Sequence, residues 1–376
     1  MDQFVADGAA EIAARAPREL EALVAVSSPS GDLEGAEEAI ALCAAFLPPQ
    51  AEVERVPCST PGSADDLVAR IAGRGSRRLL LLGHVDTVIE HSSHAPLRRD
   101  GDRLYGPGTG DMQGGVVLAL GVARALGPQP DTFAELTVLL VTDEEWRRHP
   151  FVHLERFGSY DACLCFEGGQ LASDGNEGVV VHRKAAATMQ VIARGRAAHS
   201  GSSPDQGRNA LLALASTSIE VARHHDPNGP ERLSVVPTVV RSGEAFNVVP
   251  ADGELLCDMR ADRSEAFDAV CASVPDERDG VGLETKMLRI WPGMDSRSAT
   301  RELLERAGAR LGRPITGSPR GGASDASHFA PHIPLTVDGL GPRGGGAHTP
   351  DEFVLAPSLR TRAEVALAVA ATVLDS

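Results

Sequence analysis

The feature that most constrains this sequence is a run of four leucines, Leu79–Leu82, which ends at Gly83 and is followed by His84 and Asp86. A continuous apolar run predicts a strand buried on both faces, as in the parallel sheets of α/β proteins. Ligands of such sheets bind beyond the carboxyl ends of the strands. Residues two apart on an extended chain share a face. The pattern therefore predicts that His84 binds a metal ion while Asp86 holds its ring from behind.

Two further apolar runs end in acidic residues. Leu136–Val141 is followed closely by Glu144 and Glu145, and Asp161–Phe166 is followed directly by Glu167. Parallel strands carry their carboxyl ends to one edge of a sheet, so we expect these carboxylates to approach the histidine that follows the leucine run. Predicted helices between the strands favour an α/β sheet with helices on both faces.

A mixed set of nitrogen and oxygen donors is thereby predicted at one edge of the sheet. Its members are His84, Asp111, Glu145 or Glu144, Glu167 and His348. Such donors suit Zn²⁺ or a related divalent ion. A catalytic zinc keeps one position open, so five ligands fit two ions bridged by one carboxylate better than a single ion. The spare glutamate is then a natural general base, although each acid taken alone is more commonly a solvated loop residue.

Composition narrows the class of protein. The 376 residues, 42% of them hydrophobic, are enough for two domains with large cores. A formal net charge of −16 argues against nucleic-acid binding, which depends on neutralising phosphates. The sequence shows no apolar leader and no apolar run of membrane-spanning length, and its six cysteines form no CxxC motif. We therefore expect a cytoplasmic protein that contacts no membrane.

The pattern of predicted elements changes near Lys184. Beyond it, strands of half-exposed character and two helices predict a small α+β sandwich, and after Pro292 the α/β pattern resumes. We predict a catalytic domain formed by residues 1–184 and 293–376, with an inserted domain at residues 185–292.

Seven parts of the chain carry a family resemblance. They are Gly83–Val88, Leu104–Gly115, Thr142–Glu145, Phe166–Gly168, Ala198–Gly201, Gly322–Ala326 and His348. In their order and spacing, the chain resembles the zinc-dependent amidohydrolases and exopeptidases that include glutamate carboxypeptidase, aminoacylase, acetylornithine deacetylase and succinyl-diaminopimelate desuccinylase. The segment Tyr105–Gly108 is most similar to the glutamate carboxypeptidase branch.

The resemblance implies a di-metal catalytic domain with a mostly parallel sheet flanked by helices, plus an inserted α+β lid that also forms a homodimer. It implies two Zn²⁺ per subunit, or Co²⁺ or Mn²⁺ in their place. Asp111 would bridge the two ions and be followed by a cis peptide bond. His84 and Glu167 would complete one metal position, and Glu145 and His348 the other.

The resemblance also implies the catalytic roles. Glu144 would be the general base and later the acid, and Asp86 the partner of His84. His199 of the inserted domain would reach the site of the second subunit and stabilise an oxyanion.

Substrate recognition is implied less completely. Asn247 and Arg260 match lid positions that hold the substrate, and Arg320 is a further candidate for binding a substrate carboxylate. An internal salt bridge is the alternative interpretation of both arginines. The chain departs from the family at Trp146–Phe151, where bulky and basic residues replace the usual small residues and glycine. This segment either reshapes the pocket or contacts an acidic group of the substrate.

The predicted function is hydrolysis of an amide bond in a peptide or N-acyl amino acid, with release of an amino acid, as in a glutamate-carboxypeptidase-like metallopeptidase. The alternatives within the class are an N-acyl amino acid deacylase and a dipeptidase. From other classes, a non-catalytic, metal-dependent dimeric binding protein remains open. A serine hydrolase using Ser324 and His328 lacks the Gly-x-Ser-x-Gly elbow.

Overall fold

The computed structural model describes residues 1–375, which form two compact units. Unit 1 comprises residues 1–182, 295–320 and 324–375. Unit 2 comprises Arg183–Met294 and Gly321–Ala323, so most of it is one continuous insertion in the chain of unit 1.

Helices and strands alternate along unit 1, and strands dominate unit 2. The α-helices are α1 (Gln3–Val24), α2 (Leu33–Phe46), α3 (Gly114–Leu126), α4 (Leu154–Phe157), α5 (Ala210–Ala222), α6 (Ala266–Ala272), α7 (Arg297–Leu311), α8 (Ala326–Phe329) and α9 (Ala356–Leu374). The strands are β1 (Glu52–Val56), β2 (Asp66–Ala72), β3 (Arg78–His84), β4 (Arg98–Asp100), β5 (Arg103–Tyr105), β6 (Glu135–Val141), β7 (Ala162–Cys165), β8 (Gln170–Leu171), β9 (Glu177–Arg183), β10 (Ala185–Arg194), β11 (Ser234–Ser242), β12 (Asp252–Ala261), β13 (Glu277–Arg278), β14 (Val281–Trp291), β15 (Met294–Asp295), β16 (Ile315–Arg320), β17 (Leu335–Val337), β18 (Gly344–Gly345) and β19 (Phe353–Leu355). Within residues 1–375, no helix has the combined length and apolarity needed to cross a bilayer.

The core of unit 1 is a sheet with the strand order β1-β2-β6-β3-β7-β17. The pairs β6–β3, β3–β7 and β7–β17 are parallel, whereas β1–β2 and β2–β6 are antiparallel. Leu79–Leu82 lie in β3 and are fully buried, as the apolar run predicts. Helices α1, α3 and α9 pack against one another, and α3 and α9 contact β3. The predicted α/β class with a mostly parallel sheet is confirmed.

The carboxyl ends of β3, β6 and β7 lie at one edge of this sheet because the three strands are parallel. His84 ends β3, residues 142–145 follow β6, and Glu167 follows β7. The polar residues that terminate three separate apolar runs are therefore neighbours.

A second sheet of unit 1, ordered β18-β19-β5-β4, supplies the rest of this edge. It pairs Phe353 of β19 with Tyr105 of β5. The loop that contains His348 is thereby placed beside the loop that leads from β5 to Asp111. Elsewhere in the unit, β8 and β16 both pair with β9.

Unit 2 is built on an antiparallel sheet with the strand order β11-β12-β10-β14-β13. Along β10, buried residues alternate with half-buried ones from Ala187 onward, as the period-two pattern predicts. Helices α5 and α6 pack on the sheet and enclose a separate core that includes Leu214, Val221 and Phe267. Unit 2 is thus an α+β layer with its own hydrophobic interior.

Gly115 provides a test of how tightly α3 is packed against the end of β7. A Cβ atom at this position would lie 1.7 Å from the carbonyl oxygen of Phe166. Gly115→Ala must therefore displace backbone, and overpacking of this kind costs roughly 1–3 kcal/mol. We expect the urea midpoint of Gly115→Ala to fall. Gly282→Ala, whose Cβ would meet its neighbour at an ordinary 3.8 Å, should keep the parent midpoint; equal midpoints for both variants would contradict the packing argument.

Candidate active site

His84 is buried at the end of β3, and its ring is held from one side. Its Nδ1 atom lies 3.0 Å from the carbonyl oxygen of Asp86 and 3.3 Å from Oδ1 of the same residue. Because a carbonyl oxygen can only accept, the neutral ring carries its proton on Nδ1. Its Nε2 atom faces oxygens of Asp111 at 3.3 Å and Glu167 at 3.7 Å. This is the tautomer in which Nε2 can bind a metal ion.

The carboxylate of Asp86 joins this histidine to the turn after β6. Its Oδ1 and Oδ2 atoms accept hydrogen bonds from the backbone N–H groups of Glu144 and Glu145, both at 3.1 Å. Ser30 donates a further hydrogen bond to Oδ2 at 2.5 Å. Burial opposes ionisation, but His84 and these donors hold the pKa of Asp86 below its ordinary value. One buried anion thus fixes both the imidazole and the two glutamates.

Asp111 faces both candidate histidine ligands. Its Oδ1 atom lies 3.3 Å from Nε2 of His84, and its Oδ2 atom lies 3.1 Å from Nε2 of His348. The peptide bond between Asp111 and Met112 is cis, as the resemblance implies. A carboxylate whose two oxygens face two different histidines has the arrangement that a bridging ligand requires.

The loop that carries Asp111 is held by Glu352, a residue that the sequence analysis does not identify. Oε1 of Glu352 accepts hydrogen bonds from the backbone N–H groups of Gly110 at 2.6 Å and Asp111 at 2.8 Å, and Oε2 accepts one from Gly108 at 3.0 Å. Burial raises the pKa of Glu352 to about 7. The only feature of the sequence that points to Glu352 is its position in the polar turn just after His348. A polar turn of this kind looks the same in sequence as a solvent-exposed one.

The donor atoms form two groups that share Asp111. Those of His84, Asp111 and Glu167 lie within 4.8 Å of one another, and so do those of Asp111, Glu145 and His348. Oε2 of Glu145 lies 3.3 Å from Nε2 of His348, whereas its buried Oε1 has no hydrogen-bond partner among residues 1–375. Buried polar atoms normally have partners. The orphaned oxygen and the mixed donor set together fit a pair of divalent cations.

Glu144 is buried next to these donor groups. Burial raises its pKa well above the ordinary value, with the ring of His84 opposing the shift and Asp325 adding to it. A carboxyl group with a raised pKa is suited to accept and return a proton. From the donor types alone, either Glu144 or Glu145 could be the ligand. The geometry puts Glu145 rather than Glu144 in the group with His348.

Arg320 is the predicted substrate-binding residue that belongs to unit 1. It lines a small cleft of about 60 Å³ together with Asp111, Glu167 and several glycines. Its guanidinium donates a hydrogen bond to the carbonyl oxygen of Gly168. Arg320 is therefore a cation beside the candidate ligands, and its guanidinium contacts the backbone of the loop that follows β7.

The segment that departs from the family divides into an exposed and a buried part. Trp146 is 58% exposed, whereas Arg147 is 2% exposed and forms ion pairs with Asp143 and Asp325. The charge of Arg147 is therefore directed into the protein, whereas Arg148 of the same segment stays exposed.

The remaining candidates lie in unit 2. His199 is exposed, and its Nδ1 atom accepts hydrogen bonds from two backbone N–H groups of the turn that follows it. Asn247 is exposed, and its backbone carbonyl oxygen accepts a hydrogen bond from the backbone N–H group of Ser200 at 3.0 Å. Arg260 forms an ion pair with Asp258 at 3.0 Å, which matches the alternative interpretation of this arginine.

Comparison with known proteins gives the family. The sequence profile of peptidase family M20/M25/M40 matches residues 80–372. The chain belongs to this family. It is 29% identical over 358 residues to carboxypeptidase G2 of Pseudomonas sp. (strain RS-16), covering 88% of this chain and 82% of that one. It is also 29% identical over 319 residues to succinyl-diaminopimelate desuccinylase of Stenotrophomonas maltophilia, covering 78% and 83%.

The fold of this M20 chain is likewise shared with solved structures. The M20 family metallo-carboxypeptidase Sso-CP2 from Sulfolobus solfataricus matches with a TM-score of 0.75 and 14% identity, covering 96% of this chain and 99% of that one. Family membership confirms the prediction of a metal-dependent hydrolase.

Glu352→Gln tests how the Asp111 loop is held. The side-chain amide of the glutamine would point an N–H group at backbone N–H groups that now donate to a carboxylate oxygen of Glu352. Loss of a partner behind metal ligands typically lowers metal affinity about 10–100-fold, and we expect that loss in competition with a chromophoric chelator. Asp351→Asn changes the exposed neighbour and should bind metal like the parent chain. Equal affinities for the two variants would rule out the holding role of Glu352.

Proposed function

We propose that this chain is a di-metal hydrolase that cleaves an amide bond to release an amino acid, as a glutamate-carboxypeptidase-like exopeptidase. The observation that carries the proposal is the pair of donor groups sharing Asp111, with the buried carboxyl group of Glu144 beside them. Two metal positions and a proton-accepting group are parts with which metal-assisted hydrolysis of an amide can proceed.

The donor set favours Zn²⁺, because imidazole nitrogen and carboxylate oxygen are its usual ligands in catalytic sites. His84 and Glu167 would hold one ion, Glu145 and His348 the other, and Asp111 both. Bound there, the ions would polarise the scissile carbonyl group and lower the pKa of a water molecule. Co²⁺ and Mn²⁺ are accepted by the same kinds of donor.

Glu144 would take a proton from the attacking water and return it to the leaving amine. Asp86 holds the backbone of Glu144 and the ring of His84, so the base keeps a fixed distance from the donor groups. This shared anchor is the main support for assigning the proton transfer to Glu144.

His199 of a second copy of the chain is proposed to stabilise the oxyanion. Its Nδ1 atom accepts hydrogen bonds within its own turn, so the neutral ring keeps its proton on the exposed Nε2 atom. An N–H donor that points to solvent in one subunit is available to a carbonyl oxygen bound by another.

A homodimer through unit 2 would bring that histidine to the second site. Unit 2 exposes large apolar side chains on α5 and on β11. They are Leu211, Leu212, Ile219, Val236 and Val240. β11 also lies at the edge of its sheet, where unpaired backbone groups can pair with another strand. A second copy of the same surface can cover both features by twofold symmetry.

The proposed substrate is a peptide or N-acyl amino acid whose released amino acid carries a carboxylate. Carboxypeptidase G2 supports an exopeptidase, and the equal identity to a succinyl-diaminopimelate desuccinylase supports the alternative of an N-acyl amino acid deacylase. A panel of peptides, dipeptides and N-acyl amino acids, each with Zn²⁺, Co²⁺ or Mn²⁺, separates the two by kcat/KM. Fully metal-loaded protein that turns over none of them would favour the binding protein instead.

We also propose that the enzyme acts in the reducing cytoplasm. Cys163 and Cys165 are both buried in β7, and burial raises the pKa of the Cys163 thiol well above its ordinary value. Such thiols serve as apolar packing groups, which requires no oxidising compartment.

Glu144→Gln and Glu145→Gln separate the proposed base from the proposed ligand. Glu144→Gln should retain the metal content of the parent and lose turnover by about 10²–10⁴-fold, since it removes the proton acceptor alone. Glu145→Gln should lose both turnover and bound metal. Metal content by plasma mass spectrometry and initial rates check both outcomes, and normal turnover of Glu144→Gln would refute the mechanism.

The double variant Ile219→Asp/Val240→Asp tests the homodimer. Two charges on the apolar surface of unit 2 should give a monomer in size-exclusion chromatography with light scattering, and its turnover should fall because His199 no longer reaches a second site. Leu33→Asp, which charges an exposed leucine of α2, should keep the parent mass. A parent chain that is monomeric at micromolar concentration would exclude the dimer.

A further inference from the structure

The interior behind the candidate base contains one buried cation with two anionic partners. Nε of Arg147 donates to Oδ1 of Asp143 at 3.0 Å, and Nη2 donates to Oδ2 of Asp325 at 2.9 Å. Nη1 donates to the other oxygen of Asp325, so that pair is bidentate. All three residues are less than 5% exposed.

These contacts enclose the two glutamates of the site. Asp143 and Arg147 lie at the two ends of a five-residue turn that contains Glu144 and Glu145. Asp325 comes from the start of α8, far away in the sequence. Asp86 holds the backbone N–H groups on the inner side of the turn, and the ion pair of Arg147 fastens its outer end. The turn is therefore fixed from two directions.

An aromatic stack keeps the guanidinium in place. Cζ of Arg147 lies over the ring of Phe151, 4.9 Å from the ring centroid. Phe151 is stacked on the ring of His328 at 4.8 Å and 13°, and meets Phe329 edge-on at 5.3 Å. A planar guanidinium can pair with both oxygens of a carboxylate while one of its faces lies on an aromatic ring. The ammonium group of a lysine does not reproduce both contacts. The departure segment Trp146–Phe151 thus supplies both the cation and its support.

The same contacts exclude a direct role in substrate binding. Each guanidinium nitrogen of Arg147 donates to a carboxylate of the protein, and the side chain is sealed from solvent. A substrate anion would have to displace Asp143 or Asp325, and the displaced carboxylate would then be a buried charge that has lost its arginine.

We propose that Arg147 is a positioning residue for Glu144: it ties the turn of the candidate base to α8 and neutralises Asp325, which would otherwise be a buried anion beside that base without its bidentate partner. The inference rests on the proposed function, because it assigns Arg147 a task in that reaction. It also extends to Glu145, which shares the turn and is a candidate metal ligand.

The test compares Arg147→Met, Arg147→Lys, Asp325→Asn and the double variant Arg147→Met/Asp325→Asn. At saturating metal, Arg147→Met should lower kcat at least about tenfold with KM changed less than about twofold, because an interaction that orients the reacting group is lost rather than one that binds substrate. The double variant should be no slower than Arg147→Met alone, since the two residues act as one pair. Arg156→Met, on an exposed arginine of α4 outside the departure segment, is the matched control and should keep the parent kcat.

Three outcomes would overturn the inference. An unchanged kcat with a lower unfolding midpoint would make Arg147 a purely structural residue. A raised KM with an unchanged kcat would make it a substrate contact. Strictly additive losses in the double variant would show that the pair does not act together. Arg147→Lys and Asp325→Asn supply the same comparison if Arg147→Met does not fold.

Metal affinity keeps this test separate from that of the proposed function. Arg147→Met should bind Zn²⁺ about tenfold or more weakly in competition with a chelator, because Glu145 lies in the fastened turn. This readout needs no substrate. If the parent chain hydrolyses no amide, the proposed function fails, and an unchanged affinity of Arg147→Met would then refute the positioning role by itself.

Discussion

The site depends first on the carboxylate of Asp86. Its near neighbour His84 and two segments that are distant in sequence direct donors at this buried anion: the imidazole ring, the hydroxyl group of Ser30 and the backbone of Glu144 and Glu145. A buried charge is tolerated when such partners surround it. The position of the imidazole and the position of the acidic turn are therefore set by the same side chain, and neither can shift alone.

The same solution recurs around the rest of the site. Glu352 gathers the backbone N–H groups of the Asp111 loop, and Asp325 anchors the acidic turn through Arg147. In each case a loop that carries a candidate ligand is fixed by a buried carboxylate behind it. Unit 1 thus concentrates negative charge at one edge of its sheet and distributes the compensating donors over backbone amides and one guanidinium.

Much of this arrangement could be predicted from the sequence, because it follows from local patterns. The apolar run of β3 identifies a central parallel strand, and the parallel edge then brings His84 near Glu167. Glu352 and Arg147 could not be found in this way. The backbone groups that Glu352 holds and the Asp325 partner of Arg147 are far away in the chain. An acidic turn residue or a basic residue after a strand also looks the same in sequence whether it is solvated or buried. The sequence leaves Arg260 open between a substrate contact and a salt bridge. Its ion-pair partner Asp258 lies only two residues away on the same strand face.

The two imidazoles of the donor set differ sharply in their access to water. The side chain of His84 is 2% exposed, whereas that of His348 is 53% exposed and belongs to a loop between two short strands. Ligand exchange proceeds more easily where solvent reaches the coordinating atom. Ions bound in the two donor groups would therefore exchange with the surrounding solution at different rates, faster at the position of His348 than at the position of His84.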